Sequence, residues 1–106
     1  MVEAEVIHVT DEYSDTYLAS AVAQGLRMVC RRLGSTKLKG DGTIEVYSWN
    51  DSWFIAIVDS SDYTDIYAHE DLNKLCDFLI EEYSIDEEYD REAYTMLRSL
   101  QSKNRI

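Results

Sequence analysis

The stretch Thr43 to Asp59 reads TIEVYSWNDSWFIAIVD, two β-rich runs either side of the turn formers Asn50, Asp51 and Ser52. This pattern predicts a hairpin. The second arm, Trp53 to Val58, is apolar at every position. A strand that is apolar on both faces belongs inside a sheet with a layer on each side. The rest of the chain must therefore supply two covering layers. The hairpin register stays open. A two-residue turn places Ile44, Val46, Ile55 and Ile57 on one face. A three-residue turn groups Ile44, Val46, Phe54, Ala56 and Val58, and leaves Tyr47, Trp49, Trp53, Ile55 and Ile57 on the other. A slip of one residue exchanges the two faces.

The flanking segments read as one more strand, a possible fourth, and three helices. Val2 to Thr10 alternates imperfectly and carries two glutamates, which suits a strand near the sheet edge. Asp15 to Leu33 repeats Leu18, Ala21, Val22, Gly25, Leu26, Val29 and Leu33 at helical spacing, with Ser14 or Asp15 to cap it and Gly34 to end it. Ser35 to Gly42 reads as a loop, and Ser60 to Asp65 as a polar turn. Ile66 to Ala68 fits a short third antiparallel strand beside the hairpin. Leu72, Leu75, Cys76, Leu79, Ile80 and Tyr83 define the apolar face of a helix from about His69 to Tyr83. Ser84-Ile85-Asp86-Glu87 fits a capping box opening a last helix, with Tyr89, Ala93, Met96, Leu97 and Leu100 inward. Ser102 to Ile106 should fray. The expectation is one α+β domain over residues 1–106, an antiparallel sheet of three or four strands with three helices. The order is strand, helix, hairpin, short strand, helix, helix.

Composition narrows the function classes. The 106 residues carry 21 acids and 10 bases, a net charge of −11, with 45% apolar residues. That charge repels nucleic acid and anionic membrane and attracts basic partners. The two cysteines, Cys30 and Cys76, are no disulfide framework and sit in helical patterns, which points to reduced core thiols. No leader pattern or membrane-length apolar run is present, so a cytoplasmic location is expected.

The charge is unevenly spread. Asp59 to Glu92 holds 13 acids against Lys74 and Arg91, a balance of −11, whereas Arg27 to Lys39 carries +5 and Ala93 to Ile106 carries +3. Acids three or four apart on a helix lie roughly 5–6 Å from one another. That is the scale of phosphate spacing, so Asp77, Glu81, Glu82, Asp86, Glu87, Glu88, Asp90 and Glu92 could imitate a phosphate row. Such acids also serve as an ordinary solvated face or as helix caps, and adaptation to high salt gives similar composition. Tyr47, Trp49, Trp53, Phe54, Tyr63 and Tyr67 are expected around the hairpin tip, either as interface anchors or as plain strand residues. Arg27, Arg31, Arg32, Lys37 and Lys39 form a basic segment that complements a helix dipole or grips an anion.

Catalytic and metal chemistry find little to stand on. His69-Glu70-Asp71 are successive residues whose side chains diverge, which suits a helix entry better than a metal site. The cysteines would act as nucleophiles only beside a base in an activating environment, and their apolar helical settings favour core packing. No metal and no cofactor is expected. In size and charge the chain resembles the small acidic, anti-CRISPR-like inhibitors that phages use against nucleic-acid-binding host defences. That resemblance implies a non-enzymatic module occupying the phosphate-binding surface of a basic protein, with Tyr47, Trp49 and Trp53 as anchors and no direct nucleic-acid or membrane binding. The alternatives are an immunity- or antitoxin-like neutraliser of a basic toxin or nuclease, and a small enzyme with a site near His69.

Overall fold

A computed structural model describes residues 5–12 and 16–103. Its elements are strand β1 (Ile7–His8), a 3-10 turn (Val9–Glu12), helix α1 (Thr16–Val29), strands β2 (Arg31–Lys37), β3 (Thr43–Trp49), β4 (Trp53–Asp59) and β5 (Thr64–His69), and helices α2 (Leu72–Glu82) and α3 (Arg91–Lys103). The five strands form one sheet in the order β1-β5-β4-β3-β2, with every pairing antiparallel. The α+β class holds, and the wholly apolar arm β4 is the central strand. β1 is an edge strand, the position expected for the Val2–Thr10 segment, though only Ile7 and His8 of that segment pair in the sheet; the expected part at residues 2–4 lies outside the described residues, as do the proposed caps Ser14 and Asp15.

The hairpin takes the three-residue turn. Trp49 pairs with Trp53 across Asn50, Asp51 and Ser52. Asn50 and Asp51 both adopt left-handed backbone, φ 53° and 57°, and the Ser52 N–H donates to the Trp49 carbonyl at 3.2 Å. Two left-handed residues in succession match the twist of a hairpin, and Asn and Asp tolerate that conformation best after glycine. This register fixes both faces of the sheet. Ile44, Val46, Ala56, Val58 and Tyr67 face α2 and α3. Tyr47, Ile55, Ile57 and Ile66 face α1, where Ala23 closes the contact.

The sheet has five strands where three or four were expected, because Arg31–Lys37, whose last three residues were expected in the Ser35–Gly42 loop, pairs with β3. The helices depart from expectation in three places. The first helix stops at Val29, four residues before Leu33, and Arg31–Lys37 continues as a strand along β3. Leu33 packs with the α2–α3 core while Val22 and Leu26 pack on the opposite face. One straight helix cannot reach both sides of the sheet, so the helical spacing of Leu33 is coincidental. Gly34 therefore caps nothing. A Cβ there would lie 3.0 Å from the Met96 sulfur, so its bareness lets α3 settle against β2.

The second failure is at Ser84, which opens no capping box. It sits in the left-handed region at φ 49° just beyond α2. Its N–H donates to Glu81 and the Ile85 N–H donates to Ile80. This is a Schellman close, with Ile85 as its buried apolar residue. The third failure follows from it. Helix α3 begins only at Arg91, after a turn in which Asp86 accepts the Glu88 N–H at 2.8 Å, and Tyr89 lies outside at 59% exposure. Helix α2 begins at Leu72 because Asp71 caps it, accepting the Asn73 and Lys74 N–H groups.

Candidate acidic interaction surface

The structure divides the acidic window into acids with internal duties and acids without them. Asp59 approaches Arg27 at 3.6 Å and accepts the Thr64 hydroxyl. Asp65 holds His8 Nε2 at 2.8 Å and accepts the Thr10 hydroxyl at 3.3 Å. Asp71 is the α2 cap. Asp77 binds Arg98 at 2.9 Å and the Gln101 amide at 2.9 Å, fastening α2 to α3. Asp90 accepts the Lys39 N–H at 2.8 Å and ties the α3 entry to the loop before β3. Asp77 and Asp90 thus act as structural ties.

Asp62 and Glu70 are exposed in the β4–β5 connection and just before α2, and Asp86 accepts the Glu88 N–H within the α2–α3 connection. Glu81, Glu82, Glu87, Glu88 and Glu92 remain, and all five are exposed. Among the described residues none of them makes a salt bridge. They gather at one corner, the end of α2, the α2–α3 connection and the first turn of α3. Their placement is costly. Glu81 and Glu82 occupy the last turn of α2, which holds no basic residue. A helix C-terminus carries the negative end of the dipole, and an acid there costs about 0.3–1 kcal/mol. The acidic corner has a cationic border: Arg91 and Arg98 flank Tyr94 along α3, with Arg98 5.0 Å over the Tyr94 ring.

The aromatic residues do not assemble as one cluster. Tyr47 is buried, and its hydroxyl donates to Glu45 Oε1 at 3.2 Å beside Arg27. Tyr67 lies on the other face, its hydroxyl 2.7 Å from that of Tyr83, and burial pushes it up to about 12. Tyr63 belongs to the β4–β5 connection at the far end from the hairpin tip. Trp49 and Trp53 do stay together at the tip, half exposed, over the α1 side of the sheet. The sheet therefore separates the two tryptophans from the acidic corner.

The rival sites resolve into structural roles. His69 is buried, and its Nδ1 accepts the Asp71 N–H at 2.7 Å, setting the entry of α2. Cys76 is fully buried, and desolvation raises its thiol to about 12. Cys30 is half buried where α1 turns into β2, outside any helix, and burial raises it too. Both thiols are free. Among the described residues no group of three or more histidines, cysteines and acids converges on a possible metal position. No helix of the described residues is long and apolar enough to cross a membrane.

One constellation escaped the sequence reading. His8, Thr10, Asp65, Tyr67 and Tyr83 converge from β1, the turn after it, β5 and the end of α2. The His8 ring stacks on Tyr67 at 4.6 Å, and the Tyr83 hydroxyl reaches Asp65 at 3.5 Å. His8 and Asp65 are 57 positions apart, and only the β1–β5 pairing brings them together. The Thr10 hydroxyl also accepts the buried Ile66 N–H at 3.0 Å. The cluster fastens the edge strand to the sheet.

Comparison of the chain with protein-family models, with curated proteins and with solved structures finds no match.

Proposed function

We propose that the protein is a non-enzymatic binding module that occupies the phosphate-binding surface of a basic, nucleic-acid-binding protein. The contact is made by Glu81, Glu82, Glu87, Glu88 and Glu92, with Asp86 shaping the connection between them through the Glu88 N–H. The observation that supports this reading is that these five acids are exposed, gathered at one corner and without a salt bridge among the described residues, two of them where α2 is least able to tolerate them. A solvated face gains nothing from that position, whereas a surface that must attract lysines and arginines does. Asp77, Asp90 and Tyr47 fall out of the contact, because each is engaged within the fold. The module works in the cytoplasm, a placement supported by its two free thiols.

The test begins with a partner captured from native lysate. Its association with the protein is then timed at several salt concentrations. Lysine at positions 81, 82, 87 and 88 together should slow association about tenfold or more at low salt. The difference should shrink as salt rises. DNA or RNA should compete for the partner and should not bind this protein. A reversed variant that associates as fast as the wild type at low salt would remove the acidic corner from the contact.

A further inference from the structure

The α2–α3 layer has two ends of opposite character. The acidic corner lies where α2 ends and α3 begins. At the other end, the start of α2 and the end of α3 meet the hairpin tip and the first residues of β2. A recess of about 500 Å³ opens there. Its apolar lining is Leu72 and Leu100, both buried, with the half-buried Leu33 and Phe54. Arg31, Arg32 and Lys103 complete the lining, with Asp51 as its one acid. In a chain of 21 acids and 10 bases, three cations against one acid reverses the average.

Three successive residues border this recess. A regular strand alternates its side chains between faces and does not permit that. The register of β2 slips between Arg32 and Gly34, and this bulge brings Arg31, Arg32 and Leu33 to one cavity. Two of the cations have duties inside the fold. Arg31 pairs with Asp51 at 3.0 Å, and Lys103 lies in the last turn of α3, where a cation complements the dipole. Arg32 has neither duty and forms no salt bridge among the described residues. The Arg31–Asp51 pair is itself open to exchange, because its side chains are 69% and 82% exposed and such pairs hold weakly.

We propose that this recess binds a small amphiphilic anion, one carboxylate or phosphate carried on an apolar chain or ring. Guanidinium groups present paired N–H donors that fit both head groups. The apolar body then lies on Leu33, Phe54, Leu72 and Leu100. The volume falls within the roughly 300–1,000 Å³ of small-ligand sites. The acidic corner does not forbid such a ligand. Helix α2 keeps the two ends about 16 Å apart, and salt screens exposed charges beyond about 8 Å. On the other face of the sheet, the groove between α1 and the hairpin tip, bordered by Trp49, Trp53 and Ile55, has no charged lining residue and nothing to hold a head group.

Calorimetric titration with simple probes tests this. Octanoate and octyl phosphate carry both halves of the ligand, octanol only the apolar half and acetate only the charge. Octanoate or octyl phosphate should saturate one site with a Kd of about 1 mM or tighter, and octanol and acetate should bind at least about tenfold more weakly. The tighter of the two anions shows whether the site prefers carboxylate or phosphate. Arg32→Gln combined with Lys103→Gln should weaken octanoate about tenfold or more. Both positions are exposed, and circular dichroism should show an intact fold. Asp51→Asn should tighten octanoate about threefold, since Arg31 then loses its competing carboxylate. Asparagine tolerates the left-handed backbone at position 51 and keeps an acceptor for the Ser48 hydroxyl. No saturable binding of either anion up to about 10 mM overturns the inference. Binding that octanol matches, or that survives the loss of Arg32 and Lys103 unchanged, also overturns it and places the alkyl chain in an uncharged groove. The acidic-corner reading stands or falls separately, by association rate with its protein partner.

Discussion

The two sides of the sheet solve the same problem differently. On one side α2 and α3 bury Leu72, Leu75, Cys76, Leu79, Ala93 and Leu97 against Ile44, Val46, Ala56 and Val58, and their outer surface is densely charged. On the other side a single helix covers Ile55, Ile57 and Ile66 with little more than Ala23, Val22 and Leu26, and its outer surface has no charge. The thick side keeps its apolar residues in and spends its exposed positions on charge. The thin side leaves large apolar residues out. The contrast teaches that two helices together can bury their large apolar residues and present charge outward, whereas a lone helix that meets the sheet through Ala19 and Ala23 leaves Leu18, Met28 and Val29 outside.

The largest expected effect compares the two cores directly. Leu79→Ala, fully buried between α2 and the sheet, should cost about 2–5 kcal/mol in urea denaturation. Ile55→Ala should fall at the lower end of the same range, because Ile55 borders the open groove and its surroundings can close over the lost methyl groups. Equal costs would mean that the thin side is packed as firmly as the thick one.

Next is the one charged contact that pins α1. Arg27 reaches across the sheet to Glu45 and Asp59 with only about a fifth of its side chain exposed. Burial lowers its pKa, but the Glu45 hydrogen bond and the ion pair together outweigh that and raise it. Arg27→Met keeps the length and leaves Glu45 without its cation, which should cost about 1–3 kcal/mol. Loss of near-ultraviolet signal from Trp49 and Trp53 at lower denaturant than the loss of helix would show that α1 lifts from the sheet before α2 and α3 melt.

Alkali should discriminate between the sides as well. Cys76 and Tyr67, both on the α2–α3 side, are held protonated by burial, each up to about 12 from ordinary values of 9.0 and 10.0. Above those ordinary values the unfolded chain loses protons that the folded chain keeps, so stability falls as pH rises from about 9 toward 12. Cys76→Ala should flatten the first part of that decline, whatever it costs at neutral pH. A decline of unchanged slope would place the alkaline weakness elsewhere.

The sequence made the centre of this fold legible and its margins less so. The run Trp53 to Val58 declared a central strand because both of its faces are apolar, and burial obeys that simple rule. Helix ends obeyed tertiary pairing. Arg31 to Lys37 has no strong strand signature, and it became a strand because β3 offered an unpaired edge and Gly34 admitted α3. Ser84 looked like a cap because its neighbours spell a capping box, but Ile85 had to reach the core and pulled the backbone left-handed. The acidic corner was legible as composition only. Which acids are free depended on where Arg98, Gln101 and Lys39 landed, and no local pattern encodes that. The His8–Asp65 contact was hidden for the same reason, since it spans 57 positions.

The smallest expected effect carries the most information about the acidic corner. Glu81→Lys and Glu87→Lys should each change stability by no more than about 0.5 kcal/mol. For Glu81 the sign should be toward greater stability. It sits in the last turn of α2, four residues after Asp77 and beside Glu82, so a lysine there replaces repulsion with attraction and complements the dipole. Thermal denaturation at low salt reads the sign, and added salt should shrink the gain. A gain in stability together with a loss of partner association would show that the acids stand at that corner against the interest of the fold. A loss of more than about 1 kcal/mol would instead make Glu81 a structural residue like Asp77, and the charged outer surface of α2 and α3 would then need no partner to explain it.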